Sequence, residues 1–550
     1  MKNLFLLAAC FICAMTHAKP TIIGNVNGYT LDNNGAMVQF SHLVFENGKV
    51  LSIGDQTLIN QYPDSVFIDG LQKTLLPGLI DAHGHIIFLG DSLLEVNIRD
   101  IKSAQLSAAK VRDYAAINSQ LEWILGSGWN QVIWPDKQFP TAQILDEYVS
   151  ETPVALSRVD GHAVWVNSKA LQIAGIDKDT LDPPGGKIIR DDQGNPSGIL
   201  VDTAMDLLLE HLPTGTNQNM QASLEVASER LLSVGITSVH DAGIGKSEFD
   251  FYKRNALEKN LNTRIYAMYW FEDPNLEELL KAGYYNDPDD FLSVRSVKAM
   301  ADGALGSRGA ALLEEYSDDP HNKGLMVLQE EQFKPLFDLV LKYKFQLNVH
   351  AIGDQANNRV LNQYEASFKT VGGKELRNRI EHAQVISLTD IPRFKQLDII
   401  PSMQPTHATS DMNMAEDRLG KDRLRGAYAW KSFIAQGSPL ALGSDFPVEM
   451  SNPFYGLHAA VTRQDRNNQP VEGWIPSQAL SLQQAFKGFT IDAAYAAHQE
   501  KIIGGLTTGK WADFILIDRD IFEIDKKEIW KTNVLETWLA GKRVYKKSDK

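Results

Sequence analysis

Cysteine is nearly absent from this chain. Of its 550 residues only Cys10 and Cys13 are cysteines. Beyond residue 13 there is no thiol, which excludes disulfides, cysteine zinc ligands and a cysteine nucleophile together. Positive charge is also scarce: 54 Lys and Arg face 69 Asp and Glu, a formal net charge of -15. A nucleic-acid backbone is therefore excluded as ligand, because its binders present a basic face. The basic "KRVYKKSDK" at the C-terminus reads as a solvated tail. The apolar stretch Leu4 to Met15 is too short to span a bilayer. It follows Lys2 and precedes Thr16-His17-Ala18, the order of an export signal, which predicts residues 1–18 as a signal peptide and a periplasmic chain with no membrane segment after cleavage. A lipoprotein reading of "LAAC" at Cys10 leaves only Leu4 to Ala9 as apolar segment, which is short for that purpose.

What is present is a large core. The composition is 43% hydrophobic, enough to exclude disorder and to fill more than one domain. "LLPGLIDAHGH", residues 75 to 85, ends an apolar run with one Asp and two His. Side chains two apart in a strand share a face, so His83 and His85 project together as a two-imidazole claw, with Asp81 behind them. Metal binding and a chance pair both fit that motif alone. "FQLNVHAIGD" alternates Phe345, Leu347 and Val349 with Gln346, Asn348 and His350, as a barrel strand does when its inward residues approach a site at its C-terminal end. "RNRIEHAQ" adds His382 and "PLALGSDFPVE" adds Asp445. Taken singly, each is equally a satisfied core His or a helix-capping Asp.

Spacing separates these readings. His382 lies 32 residues after His350 and Asp445 lies 63 after His382, one and two strand-helix units of about 30 residues. "GITSVHDAG", "RIYAMYWF" and "VRSVKAMADG" read as further strands, and "ASLEVASERLLSVG" places Leu224, Ala227, Leu231 and Val234 at helical spacing before Gly235 as a stop. Repeated strand and helix predicts a parallel sheet, and ligands at strand ends predict a closed (β/α)8 barrel with its site on the C-terminal face.

Six motifs in consistent order, "GLIDAHGH", "VKAMADGALGSR", "LNVHAIGD", "IEHAQ", "GSDFPVE" and "GKWADFILID", resemble the amidohydrolase superfamily, in particular amidohydrolase family 3, the branch similar to N-substituted formamide deformylases. The resemblance runs from about Pro77 to Asp518. It implies that His83 and His85 hold one metal, that Lys298 is a carboxylated bridging ligand, that His350 and His382 hold a second metal, and that Asp445 contacts metal and moves protons. Lys298 enters through the resemblance alone. As an unmodified cation it repels a divalent metal, and the competing reading pairs it with Asp302 and leaves a single ion. Nitrogen and oxygen ligands without sulfur suit Zn²⁺, Mn²⁺ or Fe²⁺, with zinc the default. Such an ion lowers the pKa of a bound water to about 7 and polarises an amide carbonyl, while Asp445 takes the water's proton and passes it to the departing amine. The expected function is hydrolysis of C–N bonds other than peptide bonds in amide, N-formyl, N-acyl or cyclic amide substrates. The similar deaminases carry a Glu three residues after the fifth-strand His, where this chain has Gly353 followed by Asp354. A non-catalytic binding protein on a degenerate barrel is the reading from another class, and the presence of all six ligand positions argues against it. The expected partner is a small molecule, and the chain acts as a monomer or a homodimer.

Other motifs fail. "GGLTTGKW" matches a phosphate loop as far as Lys510, but Trp511 replaces the hydroxyl residue, so it reads as a turn. "LGSRG" carries Leu305 where a nucleophile elbow needs Gly. Between His85 and the strand near Ile236 some 120 residues exceed one unit, which places an insertion at about 90–215 in a barrel of 77–500. Its tryptophans line a pocket or fill a core, and Trp129 and His162 are its pocket candidates, His162 on the strength of the resemblance. "SMQPTHATSDM" adds Gln404 and His407 at the rim. Residues 19–76 and 501–550 read as short strands, including an Asn47-Gly48 hairpin turn. In the resembling family the two ends meet in one small β-sandwich.

Overall fold

The computed structural model describes residues 19–32, 34–212 and 217–548. The expected signal peptide and both cysteines lie outside them. Among the described residues no helix is long and apolar enough to cross a membrane.

Eight parallel strands form the central sheet: β1 (Leu79–Gly84), β2 (Ile236–Ile244), β3 (Arg264–Trp270), β4 (Leu292–Met300), β5 (Gln346–Ala351), β6 (Arg379–His382), β7 (Ile400–Met403) and β8 (Ala441–Leu442). They pair in chain order, the right-handed strand-helix succession that curls a parallel sheet into a barrel. The seam between β8 and β1 is crossed by one bridge, Gly84 with Phe446, and by Asp445 N–H donating to His83 O at 2.7 Å. The barrel is thus nearly closed. Helices cover it as the apolar spacing required. Leu224, Ala227, Leu231 and Val234 are all buried, the helix Asn217–Ser233 stops where expected, and Gly235 follows at φ +85°, which a side chain would resist.

Both chain ends fold beside the barrel as two sheets. One holds Thr21–Gly24, His42–Glu46, Lys49–Gly54 and Val66–Asp69. The other joins Asn27–Leu31, Met37–Phe40 and Thr74–Pro77 from the N-terminal part with Phe514–Ile517, Val534–Leu539 and Lys542–Lys546 from the C-terminal part. Strand Thr74–Pro77 pairs antiparallel with Phe514–Ile517, and Ile23, Leu43, Phe45, Leu75, Phe514 and Trp538 share one apolar cluster between the sheets. Asn47 and Gly48 have φ of 50° and 77°, as the tight hairpin predicted there requires.

The insertion after β1 is a unit with its own six-stranded sheet, running from Val96 to Asp202. Trp129, Trp134 and Trp165 pack edge to face or tilted in its interior, with ring centroids 6.3 to 6.5 Å apart. Trp129 is 0% exposed and its indole N–H donates to Leu156 O at 2.6 Å. The tryptophans fill a core, and Trp129 belongs to that core instead of a pocket wall, because a sheet inserted into a loop must bury one face of its own. "GGLTTGKW" is a turn whose Lys510 donates to Ile503 O at 3.1 Å.

Candidate metal centre

The register of the barrel brings the sequence motifs to one height. Met300 of β4 lies opposite His350 of β5, and Ala351 lies opposite His382 of β6. Asp445 follows β8 with φ +62° and His382 ends β6 with φ +71°, left-handed conformations that cost about 1–3 kcal/mol each and collect at functional sites. At β6 the bend has a visible effect. Arg379 and Glu381 share the inward face by strand alternation, and the turn at His382 re-aims the next side chain inward too.

Asp445 is the hub. Its Oδ1 is 3.2 Å from His85 Nε2 and 3.6 Å from His83 Nε2, and its Oδ2 is 3.6 Å from His407 Nε2 and 4.0 Å from His382 Nδ1. Two groups therefore have ligand atoms within 4.8 Å of one another, His83, His85 and Asp445, and His382, His407 and Asp445. His350 packs against His382 with ring centroids 4.5 Å apart. Lys298 Nζ lies 3.5 Å from His83 Nε2. The oxygens of Asp302 instead accept from the backbone N–H groups of Ala311, Ile352 and Gly353 at 2.8 to 2.9 Å. Lys298 thus faces the histidines, and Asp302 holds the loop after β4 against the end of β5.

A second layer fixes the rings. Glu381 Oε2 accepts from His83 Nδ1 at 2.5 Å, which leaves Nε2 as the lone-pair nitrogen facing Asp445. Glu381 is itself paired with Arg379, which also donates to Ala82 O and Ser402 Oγ. Gln404 Oε1 accepts from His382 Nδ1 at 2.9 Å. Neither Arg379 nor Glu381 was singled out from the sequence, although two charged residues in "RNRIEH" within a barrel strand were the available signal.

Electrostatics follow from these contacts. Burial raises the Glu381 carboxyl, but the Arg379 charge and His83 outweigh it and hold it at about 2. Burial, with the Lys298 charge, lowers His83 to about 4, so its imidazole is neutral and able to ligate. Asp445 is opposed by burial yet held well below its ordinary value by His83 and by its hydrogen bond to His85. Burial lowers Lys298.

The insertion contributes one side chain. His162 lies beside His350, ring centroids 5.4 Å apart, and its Nδ1 is 2.7 Å from Asp202 Oδ1. Nine of the ten candidate positions, His83, His85, Lys298, His350, His382, Asp445, His162, Gln404 and His407, therefore gather at the barrel mouth, and Trp129 does not. Asp354, the residue beside the deaminase position, starts the helix Asp354–Thr370 and accepts from Leu313 N–H at 2.8 Å, so its carboxylate is committed to a loop.

The donor set fits a divalent cation. It offers nitrogen and oxygen and no thiol, and His350 Nε2 and His407 Nε2 are buried with no hydrogen-bond partner, where buried polar atoms are nearly always paired.

Comparison with known proteins agrees with this geometry. The model of the amidohydrolase family matches residues 66–545, reaching into the terminal sheets on both sides of the barrel. "Protein LONG AFTER FAR-RED 3" of Arabidopsis thaliana is 33% identical over 94% of this chain and 91% of its own. The N-substituted formamide deformylase of Arthrobacter pascens is 24% identical over 97% of this chain and 100% of its own. Among solved structures, an uncharacterized metal-dependent hydrolase from Pyrococcus furiosus superposes with a TM-score of 0.72 at 27% identity, covering 91% of this chain and 99% of that one. A family match along nearly the whole chain, on a barrel whose mouth gathers these nitrogen and oxygen donors, makes the protein a metal-dependent hydrolase that belongs to the amidohydrolase family.

Proposed function

We propose that the substrates are amides other than peptides, with an N-formyl, N-acyl or cyclic amide bond as the one cleaved. The observation that carries this reading is the placement of Asp445 between the two histidine groups, a carboxylate held ionised where a water and a carbonyl would meet. A divalent ion, zinc by the donor set, supplies the Lewis acidity that polarises the carbonyl and acidifies water. Asp445 accepts the proton of the attacking water and returns it to the departing nitrogen, which must leave as a neutral amine. The Glu381 contact keeps His83 in the tautomer that faces the site, and Gln404 does the same for His382. Lys298 fits the role of a bridging carboxylate if its amine, freed of a proton, adds carbon dioxide. Phe88 is 59% exposed with its ring 5.7 Å from that of His85, and Trp270 lies opposite Lys298 on the adjacent strand, two aromatic surfaces that support an apolar substituent on the substrate. The formamide deformylase among the relatives supports the N-formyl member of the class.

The test is a panel of N-formyl, N-acyl and cyclic amides assayed with protein purified without chelator, its metal content measured in parallel. Turnover that chelation abolishes and added metal restores, and that Asp445→Asn lowers by about 10²–10⁴-fold, is expected. A fully metal-loaded chain that cleaves no member of the panel sinks the amide reading.

A further inference from the structure

Lys510 is a buried cation at the end of the barrel away from the metal centre. It closes the turn 504–510, whose Gly504 and Gly509 take φ of +81° and +88°, and it is only 4% exposed. An ammonium carries three donors, and this one meets a single acceptor among the described residues, Ile503 O at 3.1 Å. Burial lowers its pKa, and the charge of Glu500 opposes that shift. The turn borders a cavity of about 810 Å³ at the barrel floor, where Ser438 and Pro439 lead into β8. The cavity thus stands at the end of β8 opposite Asp445. Ile434, Pro439, Ile491 and Tyr495 give it an apolar wall, and Lys487, Lys501 and Lys510 bring positive charge. Lys487 is paired with Asp492, and Glu500 with Arg377 at 2.9 Å. Lys501 and Lys510 have no carboxylate partner among the described residues, so two positive charges of the lining stay unmatched.

We propose that this cavity binds a small organic phosphate, with the phosphate group on Lys501, Lys510 and the Thr507 hydroxyl and the organic body against Ile491 and Tyr495. A phosphate monoester carries about -1.5 to -2 charges at neutral pH and three strong acceptor oxygens, which matches two unpaired ammoniums where a carboxylate would leave one unmatched. Lysine meets phosphate as a point charge and needs no fork geometry. An apolar wall with a few convergent polar groups, in a cavity of this size, is the ordinary make-up of a small-molecule site. The likeness of "GGLTTGK" to a phosphate loop fails for a magnesium nucleotide, because Trp511 stands where the hydroxyl residue would hold the metal. A phosphate bound without magnesium does not need that residue. The site shares no residue with the metal centre, so it stands or falls independently of the amide reading.

The probe is phenylphosphonate, a stand-in for a phosphate monoester with no ester bond to hydrolyse, titrated by calorimetry into the metal-loaded full chain at a pH where it is a dianion. Benzoate and neutral phenol are titrated alongside. Phenylphosphonate is expected to bind at least about tenfold more tightly than benzoate, and phenol not at all. Lys510→Met, which keeps the length of the side chain, should lose about tenfold or more in affinity, and the exposed Lys501→Ala about two- to threefold. Both variants should retain the metal content of the unsubstituted chain, so probe bound to the metal itself would survive in them. Crystals grown with 4-bromophenylphosphonate locate the ligand by the anomalous scattering of bromine, expected in the floor cavity beside Tyr495. No binding by the unsubstituted chain, equal affinity in both variants, or bromine at the metal centre alone overturns the proposal. If Lys510→Met does not fold, Lys501→Ala and the position of the bromine decide.

Discussion

Two histidines at the same barrel mouth take opposite charge states because of their partners. His83 is buried beside Glu381, but the negative charge of Glu381 is already met by Arg379, and Lys298 stands on the other side of the ring. Burial prevails and the ring is neutral. His162 is also opposed by burial, yet the hydrogen bond and charge of Asp202 raise it to about 9. Asp202 holds this position at φ +49°, with Gly303 and Gly309 against its carboxylate so closely that a Cβ there would lie 2.8 and 2.7 Å from an oxygen. The folded pKa is above the ordinary histidine value of 6.5, so the pair stabilises the fold fully below about pH 6.5, and that stability is lost as pH rises through 9. Unfolding free energy of the metal-free chain measured between pH 6 and 10 should fall across this window, and Asp202→Asn should remove the fall. Equal slopes in the two proteins would show that Asp202 does not hold the His162 proton.

At the scale of elements, the decisive joint is the seam between β8 and β1. Asp81 crosses it, accepting from Ser444 N–H at 3.0 Å, from Ser444 Oγ at 2.7 Å and from His83 N–H at 3.1 Å. The close approach depends on Gly443, where a Cβ would lie 2.5 Å from Asp81 Oδ1 and 2.6 Å from His83 N, the latter a backbone atom that cannot swing aside. Gly443→Ala should cost about 1–3 kcal/mol of stability and reduce metal retention, because the strain falls on the strand that carries His83. Thermal unfolding and metal content together check this, and a variant of unchanged stability and full metal would remove the seam from the account. The strands themselves were legible because each ended in a motif or ran apolar at the interval of one strand-helix unit. Ser444 and Gly443 stand in "LGSDF", from which only Asp445 was read, since a closed barrel requires β8 to meet β1 but spacing does not say which residues hold that joint. Glu381 was missed for a different reason: strand alternation puts it opposite His382, and only the left-handed turn at His382 lets neighbours face the same space.

The whole molecule is a barrel with two attached units, and they are joined to it differently. The insertion closes its own core around Trp129 and Trp165 and reaches the site through His162, and spacing alone says nothing of which tryptophans fill that core. The terminal sheets are bound to the barrel floor through a buried ion pair. Arg264, the first residue of β3, is 0% exposed and donates through Nε and Nη2 to Asp513 at 2.6 and 3.1 Å, while Nη1 donates to the carbonyls of Asp289 and Asp290. Phe291 and Trp511 lie against its guanidinium at 4.6 and 4.8 Å. Asp513 also accepts from Ala540 N–H at 2.7 Å, so one carboxylate joins a barrel strand to the ends of two of the three C-terminal strands of the sheet. Removing it leaves a guanidinium desolvated with no counter-charge, a loss of about 3–5 kcal/mol. The consequence extends past that number, because neither end of the chain builds this sheet alone and its core depends on Thr74–Pro77, the strand that leads straight into β1 and His83. Asp513→Ala should therefore lower the urea midpoint of barrel and terminal sheets together, with tryptophan fluorescence and far-ultraviolet circular dichroism tracing coincident curves. Curves that separate, with the fluorescence of the sheet lost while the barrel's helical signal persists, would mean that the terminal sheets are a dispensable attachment and that the position of His83 owes nothing to them.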